Sequence, residues 1–221
     1  MKTINYEMIK NDGEINELIR QGDAALGALG YTEHSRVHAL RVAKLAGDIL
    51  TTLDHDAHTV ELARIAGYIH DIGNSVNRHD HAHSGAILAY HILKDRGMEN
   101  EDRATVMRAI GNHDEATGTA VDPVSAALIL ADKSDVRRTR VRNKPLSSFD
   151  AHDRVNYAVL SSEIEIRREE KVIQMNLALD ESMCTVIDYF EIFLQRMLMC
   201  RRAAEIFGCT FKLKANGGKV C

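Results

Sequence analysis

Residues 63–74 read ARIAGYIHDIGN. Together with Leu62, the residues Ile65, Ala66 and Ile69 recur at i, i+3, i+4 and i+7, the spacing of one helix face, so the stretch is an amphipathic helix running into an apolar core. Gly73 breaks it. The break leaves adjacent His70 and Asp71 at the last turn of an apolar helix. Two adjacent ligands of this kind either diverge toward two metals or let the carboxylate bridge them.

The same period extends outward. Val42, Leu45, Ala46 and Ile49 form one stripe, and Val106, Ile110 and His113 another. About six helices are predicted over residues 10–142. A polar loop follows at 143–153, and beyond it the pattern alternates. Ile164 and Ile166 alternate with glutamates, Ile173, Met175, Leu177 and Leu179 with smaller or polar residues, and Cys209, Phe211 and Leu213 with Thr210 and lysines. Three strands are implied. Between the second and third, a helix is expected over Ser182–Phe207, stopped by Gly208, with Met183, Val186, Ile187, Phe190, Leu194 and Met197 on its buried face. The fold class is therefore α+β, mostly α: a helical bundle followed by a β-β-α-β appendage. The division is drawn as 1–145 and 146–221, with the appendage packed on the bundle or on a second subunit; a homodimer is one expected arrangement.

Composition narrows the function. With 28 Lys plus Arg against 32 Asp plus Glu, the net charge of −4 supplies no global positive field for nucleic acid, so any phosphate recognition is local. The cysteines at 184, 200, 209 and 221 lack CxxC spacing and read as reduced thiols of a cytoplasmic protein. The opening MKTINYEMIKNDGEINELI is too polar for a signal peptide, and no apolar run approaches the roughly 20 residues a bilayer requires. Eleven histidines are more than packing needs.

Five fragments place His or Asp at the end or inner face of a predicted helix. In EHSRVHALRVAKLA (33–46), His34, His38 and Val42 lie four apart, in line with the buried stripe. ARIAGYIHDIGN carries His70 and Asp71. HDHAHSGAIL (79–88) sets His81 four residues before Gly85, a register that favours His81 over His79 and His83. AIGNHDEATG (109–118) closes a stripe with His113, and ALILADKSDVRRTR (127–140) puts Leu128, Asp132 and Asp135 on one face. Imidazole with carboxylate is the donor mix suited to Mn, Fe, Zn, Co or Ni. His55, His58, His91 and His152 have solvated or packing explanations and receive no role.

Taken in order, these fragments resemble the motifs of the HD superfamily of metal-dependent phosphohydrolases over roughly residues 30–140. The resemblance implies an HD-type helical bundle in which His38, His70, Asp71 and Asp132 are the defining metal ligands. His81 and His113 match the additional histidines of dinuclear members, such as HD-GYP-type phosphodiesterases and HD-type diadenosine tetraphosphate hydrolases, so one or two divalent transition metals are expected. The chain departs from the HD-GYP pattern: Asn74 stands where those members carry lysine, Asn112-His113-Asp114 replaces a paired HHE, and the GYP signature is absent, which argues against cyclic dinucleotide hydrolysis. Arg78 is the candidate for the missing positive charge.

The reaction implied is hydrolysis of a phosphate ester or anhydride in a nucleotide or other small phosphorylated metabolite. Asp71 holds or bridges the metals, and His34 binds substrate phosphate, donates to a carbonyl or transfers a proton; His81 and Glu115 are further proton-transfer candidates if not coordinated. Arg137 and Arg138 are expected on a continuation of the Asp132 helix, within reach of substrate phosphates. Two alternatives from other classes are a non-catalytic nucleotide-sensing module and a di-iron HD oxygenase.

Overall fold

The computed structural model describes residues 4–143 and 149–220. A short helix α1 (Tyr6–Lys10) precedes six helices, α2 (Gly13–Ala28), α3 (Arg36–Thr52), α4 (Ala57–Ile69), α5 (His81–Asp95), α6 (Asn100–Gly111) and α7 (Pro123–Ser134). Their starts are encoded locally. Asp12, Ser35 and Asp56 accept backbone N–H bonds at the N-termini of α2, α3 and α4, and Asp122 forms a reciprocal box with Ser125 ahead of Pro123 on α7. The predicted stripes are buried: Val42, Ala46 and Ile49 on α3, Leu62, Ile65, Ala66 and Ile69 on α4, and Val106 and Ile110 on α6. Helix α7 is apolar on all sides from Ala126 to Ala131, the signature of a central helix, and it packs against α3, α4 and α6.

The C-terminal part has helix α8 (Ala151–Ala158), strands β1 (Val159–Arg167) and β2 (Val172–Leu179), helix α9 (Val186–Ile206), and strands β3 (Thr210–Ala215) and β4 (Gly218–Lys219). The sheet order is β1-β2-β3-β4; β1 and β2 form an antiparallel pair, β3 runs parallel to β2 after the α9 crossover, and β4 folds back antiparallel. The β-β-α-β order is as expected, with β4 as an added edge. The stop at Gly208 has its physical cause on display: Gly208 sits at φ +63°, its N–H donates to Glu205 O (2.9 Å), and Cys209 N–H donates to Ala204 O (3.0 Å), which satisfies the last carbonyls of α9.

Three expectations need correction. The loop placed at 143–153 gives way at residue 151 to α8, which is capped by Asp150 accepting from Asp153 N. The face of α9 is rotated: Tyr189, Phe193, Met197, Cys200 and Ala204 are buried, whereas Ile187 is 72% exposed and Leu194 46%. Phe193 has non-helical φ/ψ (−114°, 15°), so a stripe read at one constant period does not pass through it. The Asp132 helix does not continue into the arginines. It ends at Ser134, Arg137 is extended, and 138–140 make a single 3-10 turn. The proposed boundary at 145/146 lies outside the described residues. On either side of it the packing is continuous: α9 lies along α7, and one apolar core runs from Ile9 to Ala215. Among the described residues, no helix is long and apolar enough to cross a membrane.

Candidate metal centre

Each of the four inner histidines is oriented by a bond on its outer nitrogen. His38, near the start of α3, is fully buried, and its Nδ1 faces Asp135 Oδ2 at 2.8 Å. His70 Nδ1 lies 2.9 Å from Gly67 O, His81 Nδ1 3.1 Å from Arg78 O, and His113 Nδ1 2.6 Å from Ile110 O. A carbonyl oxygen only accepts, so the last three rings carry their proton on Nδ1, and the ionised Asp135 asks the same of His38. In the neutral rings every Nε2 is thereby left with a lone pair directed inward. His38 and His70 Nε2 are 3.3 Å apart, and His81 and His113 Nε2 are 3.2 Å apart. Two lone pairs at that distance repel unless a proton or a cation lies between them.

The carboxylates are placed to divide this cluster. Asp71 Oδ2 lies 3.3 Å from His70 Nε2 and 3.6 Å from His38 Nε2, while its Oδ1 lies 3.5 Å from His81 Nε2 and 3.8 Å from His113 Nε2. Asp132 Oδ1 approaches His38 (3.3 Å) and His70 (3.6 Å). Three overlapping trios, His38–His70–Asp71, His70–His113–Asp132 and Asp71–His81–His113, hold their donor atoms within 4.8 Å of one another. The donor set fits one or two divalent cations, with the two oxygens of Asp71 turned to opposite sets. The ionisable groups of the cluster shift one another strongly. Burial pushes His70 down, but the Asp71 and Asp132 carboxylates overcome it and raise its pKa to about 10. Burial drives His81 the other way, to about 4. The carboxyls of Asp71 and Asp132 are pushed up by burial, yet His70 and His113 beside Asp71, and Lys133 and His38 beside Asp132, hold both well below the usual carboxylate range.

The surrounding shell is where sequence reading fell short. Asp135 accepts from Arg41 Nε (3.0 Å) and Arg137 Nε (2.8 Å), and the buried Arg140 donates to its backbone carbonyl (2.7 Å). Burial opposes ionisation of Asp135, but His38, Arg137 and Arg140 keep it far below the ordinary carboxyl value. The arginine run thus holds Asp135 ionised against His38. Asn74 likewise donates to Asp71 Oδ1 at 2.9 Å. The i, i+3 spacing of Asp132 and Asp135 was the available signal for the role of Asp135. We expect Asp135→Asn to keep the fold but to weaken metal binding by roughly 10–100-fold, because it removes the charge that fixes the His38 ring; competition with a fluorescent chelator measures it, and unchanged affinity would make Asp135 purely structural.

Of the arginines proposed for phosphate, the structure brings one to the centre. Arg78 lines the adjoining cavity, with Nη1 3.3 Å from Asn74 Oδ1 and 3.4 Å from His81 Nε2. Arg137 is committed to Asp135 and Glu33, and Arg138 to Asp180 (3.1 Å), the Tyr157 carbonyl and the Tyr157 ring. Neither lines the cavity, because the helix that would have carried them there stops early. His34 does line it, and its Nδ1 is 2.8 Å from Thr32 O. His79 and His83 are exposed, and His152, given no role from the sequence, reaches the cavity wall.

The chain is similar to several known proteins. The family model for the HD domain matches residues 36–173. An uncharacterized protein of Methanocaldococcus jannaschii is 29% identical over 80% of this chain and 76% of its own length. Ribonuclease Y of Campylobacter hominis is 34% identical over 54% of this chain, which covers only 21% of that enzyme. A solved HD superfamily hydrolase from an uncultured Thermotogales bacterium is 28% identical, with 56% of this chain and 67% of that chain covered and a TM-score of 0.44.

Proposed function

The chain belongs to the HD-domain family, and on that premise we propose that it is a metal-dependent phosphohydrolase acting on a phosphate ester or anhydride of a small phosphorylated metabolite, with a nucleotide as the leading case. The observation that carries this reading is the convergence of four histidine Nε2 lone pairs on Asp71 and Asp132, with the Asp71 oxygens facing different histidine pairs. Bound divalent cations would lower the pKa of water and neutralise charge on phosphoryl oxygens during in-line displacement.

The protein residues divide the remaining tasks. His38, His70, Asp71 and Asp132 are assigned to one cation, and Asp71 with His81 and His113 to a second. Arg78, beside His81, presents guanidinium N–H groups to a phosphoryl oxygen. His34 has Nδ1 committed to Thr32 O, which leaves Nε2 as an acceptor at the cavity wall, suited to accept a hydrogen bond from a substrate hydroxyl or an attacking water and so to orient it. Burial and the nearby Arg140 keep His34 neutral, well below the ordinary histidine value.

The relatives named Ribonuclease Y point to phosphodiester cleavage, but this chain spans about a fifth of their length. A small substrate is favoured here by the cavity of about 220 Å³ in front of the cluster, one wall of which is built by α8 and α9. The test is metal analysis joined to turnover. Manganese-loaded protein is expected to bind two metals and to hydrolyse phosphate esters or nucleotides in a chelator-sensitive way, with His81→Ala and His113→Ala each lowering occupancy toward one. Saturation at one ion in the unaltered protein rejects the dinuclear assignment, and loaded protein inert toward every phosphoester and anhydride rejects the phosphohydrolase.

A further inference from the structure

The cavity has walls of different origin. The bundle supplies Asp71, His81, His113 and Asp132, and the C-terminal helices supply His152 and Asn156 from α8 and Phe193 and Arg196 from α9. Arg196 is a charged side chain, 20% exposed, carried on an otherwise apolar helix face and brought to the same cavity as the histidine cluster. It is immobilised from two directions. Its guanidinium carbon lies 4.1 Å from the centroid of the Phe193 ring, and its Nε and Nη2 lie 2.9 and 2.8 Å from Glu115 Oε1. Stacking and a carboxylate partner together fix the plane of the fork.

The same Glu115 oxygen also faces Lys133 Nζ at 3.8 Å, and Lys133 is buried, with its other partner Asp132 Oδ2 at 2.8 Å. Two cations thus share one glutamate oxygen beside the cluster. No side chain among the described residues accepts from Arg196 Nη1. A structural ion pair would need neither a preset guanidinium plane nor a second cation at the same oxygen, and both suit an anionic ligand group.

Building on the phosphohydrolase reading, we infer that Arg196 and Lys133, held on Glu115, form a second anion subsite for a phosphate other than the one cleaved. The substrate class that fits is a small molecule with two neighbouring phosphoryl groups, such as a phosphoanhydride or a bisphosphate, spanning the metal cluster and the α9 wall. The C-terminal unit then determines specificity, and polymeric phosphodiesters, which offer only singly charged linkages, are poor ligands.

The inference is tested by binding, independently of turnover. Calorimetry on the manganese-loaded full chain, with the non-hydrolysable methylene analogue standing in for pyrophosphate throughout, should give pyrophosphate an affinity about tenfold or more above orthophosphate, the size of one added charge-assisted contact. Arg196→Met, which keeps an apolar stem against Phe193, should lower pyrophosphate affinity about tenfold and leave orthophosphate affinity within about twofold. Arg196→Lys keeps the charge without the fork and should fall between the two. Absence of a pyrophosphate preference in the unaltered protein, or equal losses for both anions in Arg196→Met, would overturn the subsite. Should Arg196→Met not fold, unchanged pyrophosphate affinity in Arg196→Lys overturns it as well. A protein that binds pyrophosphate in this way but hydrolyses nothing would sink the proposed reaction and leave the subsite standing.

Discussion

Asp71→Ala is expected to lose most of the bound metal and to lower kcat/KM on any hydrolysed phosphoester by about a thousandfold or more, since it removes both metal retention and the charge stabilisation the cations supply. The size of the effect follows from position. Among the described residues, Asp71 is the only carboxylate whose two oxygens approach different histidine pairs, His38 and His70 on one side and His81 and His113 on the other. Its loss therefore weakens both sets at once, whereas loss of His81 or His113 touches one. Asp71→Asn keeps the shape and halves the chemistry: one oxygen remains as a neutral donor and the amide nitrogen cannot coordinate, so partial occupancy is expected. Elemental analysis after dialysis, with circular dichroism as the folding control, measures the effect. Stoichiometric metal in folded Asp71→Ala would remove this residue from the centre.

The largest structural effect is expected at Gly73. A methyl group there would collide with the His81 carbonyl oxygen and lie 2.6 Å from Gly85 N and 2.8 Å from Ser84 Oγ. These are atoms of the first turns of α5, largely backbone, so they cannot yield as the tip of a flexible side chain would. Gly85 faces Gly73 in return, with its own added Cβ 3.1 Å from Gly73 N. The paired glycines let the turn after α4 lie directly against the start of α5, which is how His70 and Asp71 come to face His81. Gly73→Ala should destabilise the fold by about 3 kcal/mol or more, roughly 6–12 °C in Tm for a chain of this size. Metal affinity should fall as well, because α5 and His81 must retreat. A thermal melt within about 2 °C of the unaltered protein would show that α5 can shift at little cost.

Gly73 also illustrates how sequence and structure share the information. From the sequence, Gly73 is a helix breaker after an apolar run, and that reading is correct as far as it goes. Its closer purpose, backbone contact with a helix that begins eight residues later, depends on how the chain returns. The bundle was legible because helix period is a local property, set by contacts a few residues apart, and the stop of α9 at Gly208 was legible for the same reason. The donor residues were legible for a related reason. Histidine and aspartate at the buried ends of apolar stripes are expensive without a partner, so their pattern shows in the sequence itself.

Only tertiary structure decided what surrounds them. His38 and Asp135 meet across 97 residues, and Arg196 and Glu115 across 81. No local rule reports such pairs, because they arise from which helix packs on α7. The arginine run shows the failure most directly: a helix extended by period alone carried Arg137 and Arg138 toward the metals. In the folded chain Asp135 leaves helical geometry (φ −79°, ψ 62°), gathers Arg41, Arg137 and Arg140, and becomes the support of His38. The sequence by itself determined a helical bundle with a β-β-α-β tail and a set of His and Asp donors suited to metal. Packing of α9 along α7 decided that the tail walls the cavity and contributes Arg196, because side-chain direction and long-range proximity follow from the closed core and not from the order of residues.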